Sequence, residues 1–383
     1  MKSKHLYSLL GLLMLFFSCT SEERYDQPKP KGEVQIRARI PGSFTPSTRS
    51  MDGVKENEVQ EIDVLVFDNT NRFVEHKQGT SITHSGATGN QVSFKAGLSS
   101  GTNRNIVVVA NAQALISSLT LAVGNPQASG LAQLEHTNTG KWAADGIGAY
   151  IPIPMVGELT NQTITSGSTL SGLTLTRMLA RIDVKSTTTN FTLQRIHLCN
   201  YNTKGRIAPT WNASGTIQTV VTAPNLPAAP GKNTTVPHTY TTGSQTYLGE
   251  IYTFESTAAD DASGINHGDR KDATCIVVEG RYQGTTYFYR IDFTAEQAPG
   301  TDPTTIPYMP LLRNHKYVID ITAADGVGYA SVADALNAYT QPSNLKTRLI
   351  YYDQSKVKDI VYNGQHMLGV SSSKYEFTRD AYT

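Results

Sequence analysis

The sequence predicts an all-β protein of two tandem β-sandwich domains with one or two short helices. Apolar residues alternate with polar ones or form short runs, which is typical of strands. Clusters of Gly, Pro, Ser, Thr and Asn interrupt these runs, as turns between strands do. Only 17% of the 383 residues are charged, which favours an extracellular β-rich chain over a helical enzyme. The net charge of +1 gives no indication of binding to nucleic acid.

The first nineteen residues have the layout of a secretory signal. Lys2 and Lys4 precede an apolar run at residues 6–17, which is too short to span a bilayer comfortably. Cys19 follows this run and a small residue, an arrangement that resembles the lipobox of bacterial lipoproteins. We therefore predict a signal peptide at residues 1–19 and a lipid on Cys19. A plain signal peptide with an incidental cysteine is the alternative.

A strand and then a loop follow the polar tether that begins at residue 20. Val34, Ile36, Ala38 and Ile40 share one parity, and polar residues occupy the other, as a half-buried strand requires. Pro, Gly, Ser and Thr then break the pattern and place Arg49 in a predicted exposed loop.

The later elements follow from the same patterns. A near-continuous apolar run at 61–68 predicts a strand buried on both faces. Residues 173–187 predict one long strand with a bulge, and residues 191–201 its partner. Further elements are predicted at 103–119 (a strand leading into a short helix), 149–160, 273–294 (a hairpin turning at Gln283-Gly284), 314–322, 330–340 (a helix) and 344–353. We place the first sandwich at 50–172 and the second at 173–383.

The two cysteines beyond the signal lie in strand-like runs. Cys199 and Cys275 are predicted to be small buried side chains, with a disulfide between them as the alternative. Neither has the spacing of a metal ligand or of a nucleophile.

The C-terminal tail, from about residue 360 to 383, contains two short strand-like pieces. Leu368 and Val370 share even parity, and Tyr375 and Phe377 share odd parity. Serines lie between the pieces. An ordinary last strand of the second domain is one interpretation. The other is a donor strand, because a sandwich that loses its first strand has an open groove that a second molecule can fill. Such head-to-tail contacts produce a filament when their rotation does not close.

Several motifs, taken in their order and spacing, resemble those of the fimbrillins, the lipoprotein-derived pilus subunits of Bacteroides-type bacteria. These motifs are SCTSEE, VQIRARI, the loop ending STR at Arg49, EIDVLVFD, IVVVAN, IPMVGE, LTRMLARIDV, NHKYVIDIT, GYASVADAL and NGQHMLGVS. None of them is a catalytic motif.

The resemblance implies two transthyretin-like sandwiches, lipoprotein export to the outer membrane, and processing by a trypsin-like, Arg-specific protease. Carried onto this chain, the bond between Arg49 and Ser50 is cut and the strand at 34–40 is lost. Residues 365–377 then act as the donor segment in a polymer of pilin subunits on the cell surface. Adhesion to a host or bacterial receptor is the implied role. Arg37 and Arg39 compete as cleavage positions but lie inside a strand, and cutting at Arg72 would sever a hairpin.

Other chemistry is weakly supported. Asp260, Asp261, Asn266 and Asp269 lack the ligand order of a calcium loop and are predicted to form a polar loop. Trp142 and Trp211 are predicted to pack or to lie in turns. The sequence therefore predicts no enzyme, cofactor or metal site. The second functional hypothesis is a monomeric surface lipoprotein that binds glycans or host ligands through its loops.

Overall fold

The fold consists almost entirely of strands. The computed structural model describes residues 31–41, 53–86, 89–142, 151–209, 217, 221–241, 243–258, 271–294, 308–338, 344–354, 359–362 and 367–370. The strands are β1 (Lys31–Arg39), β2 (Ile62–Phe67), β3 (Phe73–Gln78), β4 (Thr80–Ser85), β5 (Gln91–Ser99), β6 (Gly101–Ala110), β7 (Glu135–Thr137), β8 (Met155–Ile164), β9 (Thr169–Thr174), β10 (Thr176–Arg177), β11 (Ala180–Ser186), β12 (Phe191–Cys199), β13 (Tyr201–Asn202), β14 (Lys204–Arg206), β15 (Lys232–Asn233), β16 (His238–Thr241), β17 (Thr246–Thr253), β18 (Cys275–Tyr282), β19 (Thr285–Asp292), β20 (His315–Ala324), β21 (Leu345–Asp353), β22 (Asp359–Tyr362) and β23 (Met367–Val370).

The described helices are short and outnumber the one or two that the sequence predicts. They are α1 (Gly53–Glu56), α2 (Gln113–Ser117), α3 (Gln127–Leu131) and α4 (Val332–Asn337). The predicted helix at 330–340 is confirmed as α4, and Ser331 caps it by accepting a hydrogen bond from the Asp334 amide at 3.1 Å. None of the helices in the described part of the chain is long and apolar enough to cross a membrane.

The first sandwich pairs a four-stranded sheet with a five-stranded sheet. Their strand orders are β4-β5-β1-β9 and β10-β8-β6-β2-β3. Alternating apolar residues of both sheets form one core between them, with Ile36, Phe94 and Val108 among its members. The outer face of β2 is also buried, because Leu65 and Phe67 pack in a second cluster with Phe254. The prediction that this strand is buried on both faces is thus confirmed.

The second sandwich pairs two four-stranded sheets. Their orders are β17-β11-β20-β21 and β16-β12-β18-β19. Its core includes Val184, Ile196, Val278 and Ile319. The hairpin of β18 and β19 turns at Gln283-Gly284 as predicted, and both residues have positive φ (50° and 86°), which suits the twist of a two-residue turn. The prediction of an all-β sandwich fold is therefore confirmed.

The segment 173–187 differs from the single long strand predicted for it. Its first part belongs to β9 and β10 of the first sandwich, where Leu173 and Leu175 are core residues, and the second sandwich begins only with β11. The prediction that 191–201 pairs with this segment is also wrong, because β12 pairs with β16 and β18 in the opposite sheet. Apolar alternation shows which face of a strand is buried, but it does not identify the sheet.

Cys199 and Cys275 lie directly opposite each other on β12 and β18. Both are buried, free thiols, and Ala335 of α4 completes the small apolar cluster around them. This confirms that they pack as small buried side chains. The hydrogen bond with Cys199 and, after it, burial raise the pKa of the Cys275 thiol, so it stays protonated at neutral pH.

Candidate functional site: the first strand and its groove

Strand β1 lies inside its sheet and has a partner on each side. It pairs with β5 in antiparallel fashion, from Lys31 opposite Ser99 to Arg39 opposite Gln91. It pairs with β9 in parallel fashion. Beyond the ladder, the Ile40 amide donates to the Asn90 carbonyl at 2.8 Å. Without β1, both β5 and β9 would have an unpaired edge, so a strand-wide groove would separate them.

The apolar face of β1 forms part of the first core, as its alternation predicts. Val34, Ile36 and Ile40 have no exposed surface, and Ala38 is 5% exposed. The three large side chains together contribute on the order of 5–9 kcal/mol of hydrophobic free energy, before the cost of ordering the strand. Arg37 is exposed on the opposite face. The groove under β1 is therefore a row of apolar pockets spaced two residues apart.

The C-terminal end of β1 meets a buried arginine that the sequence analysis missed. The Arg177 side chain is buried at the end of β10. Its Nη1 donates to the Pro41 carbonyl at 2.9 Å, and its Nε donates to the Glu56 carbonyl at 3.2 Å. Its Nη2 donates to Oδ1 of Asn57. One guanidinium thus binds the chain on both sides of residues 42–52, the segment that contains the predicted cleavage position.

Buried charges join α1 to the second sandwich beside Arg177. Arg181 Nη1 lies 2.6 Å from Oε2 of Glu56, and Arg181 also makes a two-bond contact with Asp183 at 2.9 and 3.1 Å. Lys316 Nζ lies 2.9 Å from Oδ2 of Asp183. Every side chain in this cluster is at most 2% exposed. Burial by itself would raise the pKa of Asp183, but Arg181 and Lys316 lower that pKa well below its usual range. In the sequence, the buried charge cluster is indicated by Arg177 and Arg181, two charged residues in an otherwise apolar stretch.

Asp183→Ala is expected to destabilise the protein by about 3–5 kcal/mol, because the change leaves two buried cations without their shared carboxylate. The matched control is Asp325→Ala, since Asp325 pairs with Lys346 at 2.7 Å but both side chains are about half exposed or more. That control is expected to change stability by less than about 1 kcal/mol. Urea unfolding of both variants measures the difference. Equal effects would contradict a structural role for the buried cluster.

The stability difference between the native protein and Asp183→Ala should depend on pH. The folded-state pKa of Asp183 lies below its unfolded value, so its contribution to stability is complete above the unfolded pKa of about 3.9 and declines as pH falls further. The stability advantage of the native protein over Asp183→Ala should therefore be constant near neutral pH and shrink below about pH 4.

The other predicted site residues are distributed as follows. Cys19, Arg49, Ser50, Tyr375 and Phe377 lie outside the described residues. Leu368 and Val370 lie on β23, opposite Val361 and Asp359 of β22. This hairpin forms a separate two-stranded sheet among the described strands. The structure therefore describes the groove and part of the proposed donor segment, but it does not bring them together within one chain.

The arginines that compete with Arg49 as cleavage positions lie in a hydrogen-bonded strand or turn. Arg37 and Arg39 are paired with Ser93 and Gln91 in the β1–β5 ladder. The Arg72 amide donates to Oδ1 of Asp68 at 2.9 Å inside a tight turn. Proteases need an accessible, extended backbone, so these positions are disfavoured as cleavage sites.

Trp142 is buried, and its indole Nε1 donates to the Ile151 carbonyl at 2.9 Å. The prediction of a packing role for Trp142 is confirmed, and this side chain is not available to stack on a sugar. Trp211 and the loop with Asp260, Asp261, Asn266 and Asp269 lie outside the described residues. In the part of the chain that the structure describes, no group of His, Cys, Asp or Glu is arranged to hold a metal ion.

Comparison with known proteins gives a family match and several structural matches. Residues 40–195 match the family model of the major fimbrial subunit protein (FimA). The chain is similar in structure to the tip fimbrial protein Mfa3 from Porphyromonas gingivalis, with 19% identity and a TM-score of 0.50 over 84% of this chain and 99% of that chain. A candidate cell adhesion protein from Parabacteroides distasonis has 13% identity and a TM-score of 0.47, over 84% and 97% of the two chains. One from Bacteroides eggerthii has 16% identity and a TM-score of 0.44, over 85% and 97%. No curated protein matches the chain.

The family match begins just after β1 and ends within β12, so it covers the first sandwich without its first strand. The likeness to Mfa3 supports the fold over nearly the whole of that chain. The sequence motifs, the two sandwiches and the match of residues 40–195 to the fimbrial subunit model all agree with the resemblance to the fimbrillins.

Proposed function

We propose that this protein is a fimbrial subunit that polymerises by exchanging its own first strand for a strand of a neighbouring subunit. In this proposal, a trypsin-like protease cuts the precursor after Arg49 and β1 leaves the sheet. The tail of a second subunit then fills the groove between β5 and β9. The product is a filament of pilin subunits at the cell surface that serves adhesion.

The observation that carries the proposal is the position of β1. The strand is paired with β5 along its whole length and with β9 from Gln35 to Arg39, and its apolar face is fully packed, yet it precedes all other described elements in the chain. Its removal exposes two edges and a row of apolar pockets without interrupting the rest of the fold. Strand addition satisfies such edges through main-chain hydrogen bonds and fills the pockets with alternate side chains.

The groove also specifies what can replace β1. A strand that keeps the same pairing must run antiparallel to β5 and parallel to β9, with apolar side chains two residues apart. The proposed donor offers two such pairs, Leu368 with Val370 and Tyr375 with Phe377. The serines between the pairs allow the change of parity between them.

We also propose that the precursor is exported as a lipoprotein. Cys19 would carry the lipid and hold the precursor at the outer membrane until cleavage. Because Cys19 precedes Arg49, a cut after Arg49 separates the fimbrial subunit from its anchor and from β1 in one step. One proteolytic event would therefore coordinate release from the membrane with opening of the groove.

N-terminal sequencing of surface-extracted protein tests this proposal. We expect chains that begin at Ser50 and that migrate as a ladder of oligomers in mild detergent. A single species that begins at lipidated Cys19 would contradict the proposal and would favour the monomeric, glycan-binding lipoprotein instead. The same extract should be boiled as a control, because full denaturation converts a non-covalent ladder to monomer.

A further inference from the structure

The Arg177 guanidinium is placed where the end of the β1 groove meets the second sandwich. Its Nη1 group donates to three acceptors: the Pro41 carbonyl at 2.9 Å, Asn314 Oδ1 at 3.1 Å and Gln354 Oε1 at 3.3 Å. Pro41 is buried and directly follows the last core residue of β1, Ile40. The terminal carbonyl of the first-strand segment is therefore bound by a charged donor away from solvent, where such a hydrogen bond is strong.

The contacts of Arg177 divide into those that would leave with β1 and those that would stay. Pro41 precedes Arg49 and would leave. Glu56 and Asn57 follow Ser50 and would remain, and the Glu56 carboxylate is fixed by Arg181 at 2.6 Å. Removal of β1 thus opens one acceptor position on a guanidinium that its other partners continue to hold in place.

The surroundings of this position contain additional unused donors. Asn314 and Gln354 turn their amide oxygens toward Arg177. Within the described part of the chain, the Nδ2 atom of Asn314 and the Nε2 atom of Gln354 are buried and have no hydrogen-bond acceptor. Buried donors without acceptors are unfavourable. An incoming main chain supplies carbonyl oxygens, which are the acceptors that such a site requires.

We propose that Arg177, with Asn314 and Gln354 around it, is a main-chain carbonyl site at the end of the groove. In the precursor, the site binds the Pro41 carbonyl and helps to retain β1. In the filament, it binds a carbonyl of the donor strand and fixes how far that strand enters. This inference rests on the proposed strand exchange, which supplies the second occupant.

The first test is a double-mutant cycle on purified full chain that has been cut with trypsin after Arg49. Amidated peptides of residues 31–41 and 31–40 compete for the groove, and they differ by Pro41 and its carbonyl. In the native protein, the longer peptide should bind about ten- to a hundred-fold more tightly, as expected for a hydrogen bond from a charged donor. In Arg177→Met, this ratio should fall close to the small contribution of proline packing.

Two further variants keep the test decisive. Arg177→Lys retains the positive charge but lacks the planar guanidinium that donates to several acceptors at once. It replaces Arg177→Met if that variant does not fold. Arg290→Lys is the matched control, because Arg290 is also a buried arginine that donates to a main-chain carbonyl, that of Leu336 at 3.2 Å, but it lies on β19 of the second sandwich, and its peptide ratio should equal the native one. A ratio in the folded Arg177 variant that equals the ratio in the native protein would overturn the carbonyl site in the precursor.

The second test concerns the filament. Filaments of Arg177→Lys should dissociate in denaturant about ten- to a hundred-fold faster than native filaments, and those of Arg290→Lys should dissociate at close to the native rate. Equal dissociation rates for Arg177→Lys and native filaments would overturn the proposed role of Arg177 in binding the donor strand, but not its role in the precursor. Absence of any trypsin cut after Arg49 would instead overturn the proposed function, together with the inference that depends on it.

Discussion

Arg49→Ala is expected to abolish filament formation and to leave folded, lipid-bound monomers on the cell. The uncut chain keeps β1 covalently attached next to its own groove, at an effective concentration that a donor segment from another molecule cannot match. The apolar face of β1 then stays buried in the first core. Electron microscopy of the cell surface and mass spectrometry of the extracted chain measure the two consequences.

Arg37→Ala is the matched control for this variant. Arg37 lies within the strand to be removed, and its side chain is exposed, so its loss affects neither core packing nor the proposed cut. Normal filaments are expected from that variant. Filaments from Arg49→Ala of native length and number would contradict cleavage at this position as the activating step.

Leu368→Asp with Val370→Asp is expected to prevent polymerisation while leaving cleavage intact. In the proposed exchange, these side chains enter pockets that β1 vacates, and Ile36 shows that such a pocket excludes solvent completely. Each buried, unpaired carboxylate would cost several kcal/mol, which exceeds what the remaining contacts of the donor can offset. The expected product is a cut monomer that begins at Ser50.

The control for the tail is Ser372→Asp, which adds one acidic residue to the serine run between the two apolar pairs. Filament yield from this variant should be close to native. Gel analysis of surface extracts separates the outcomes, because a ladder reports polymer and a single band reports monomer. A native ladder from the Leu368 and Val370 double variant would show that these residues do not insert into a neighbour.

Local patterns in the sequence were sufficient to predict the strands that use them. The alternation in residues 34–40 correctly predicts which side chains of β1 are buried, because a pleated strand turns alternate residues to one face. The Gln283-Gly284 turn is also predicted, since glycine and its neighbour must both adopt positive φ in a two-residue hairpin. In these cases, the determining interactions are between residues close in the chain.

Features set by distant partners were not predictable in the same way. The parallel pairing of β1 with β9 joins residues from opposite ends of the first sandwich, and no periodicity in either strand encodes it. The assignment of residues 173–187 to one strand failed for this reason. Arg177 and Arg181 illustrate the limit for the site, because a charged residue in a strand indicates a solvated face unless its buried partners are known.

The central claim is that the fold of the assembled subunit is completed by a β-segment from its neighbour. Electron cryo-microscopy of purified filaments tests it most directly, by tracing the chain that lies between β5 and β9. The account predicts that this strand is continuous with residues 365–377 of the adjacent subunit. A strand that is instead continuous with residues 31–41 of the same subunit would contradict it.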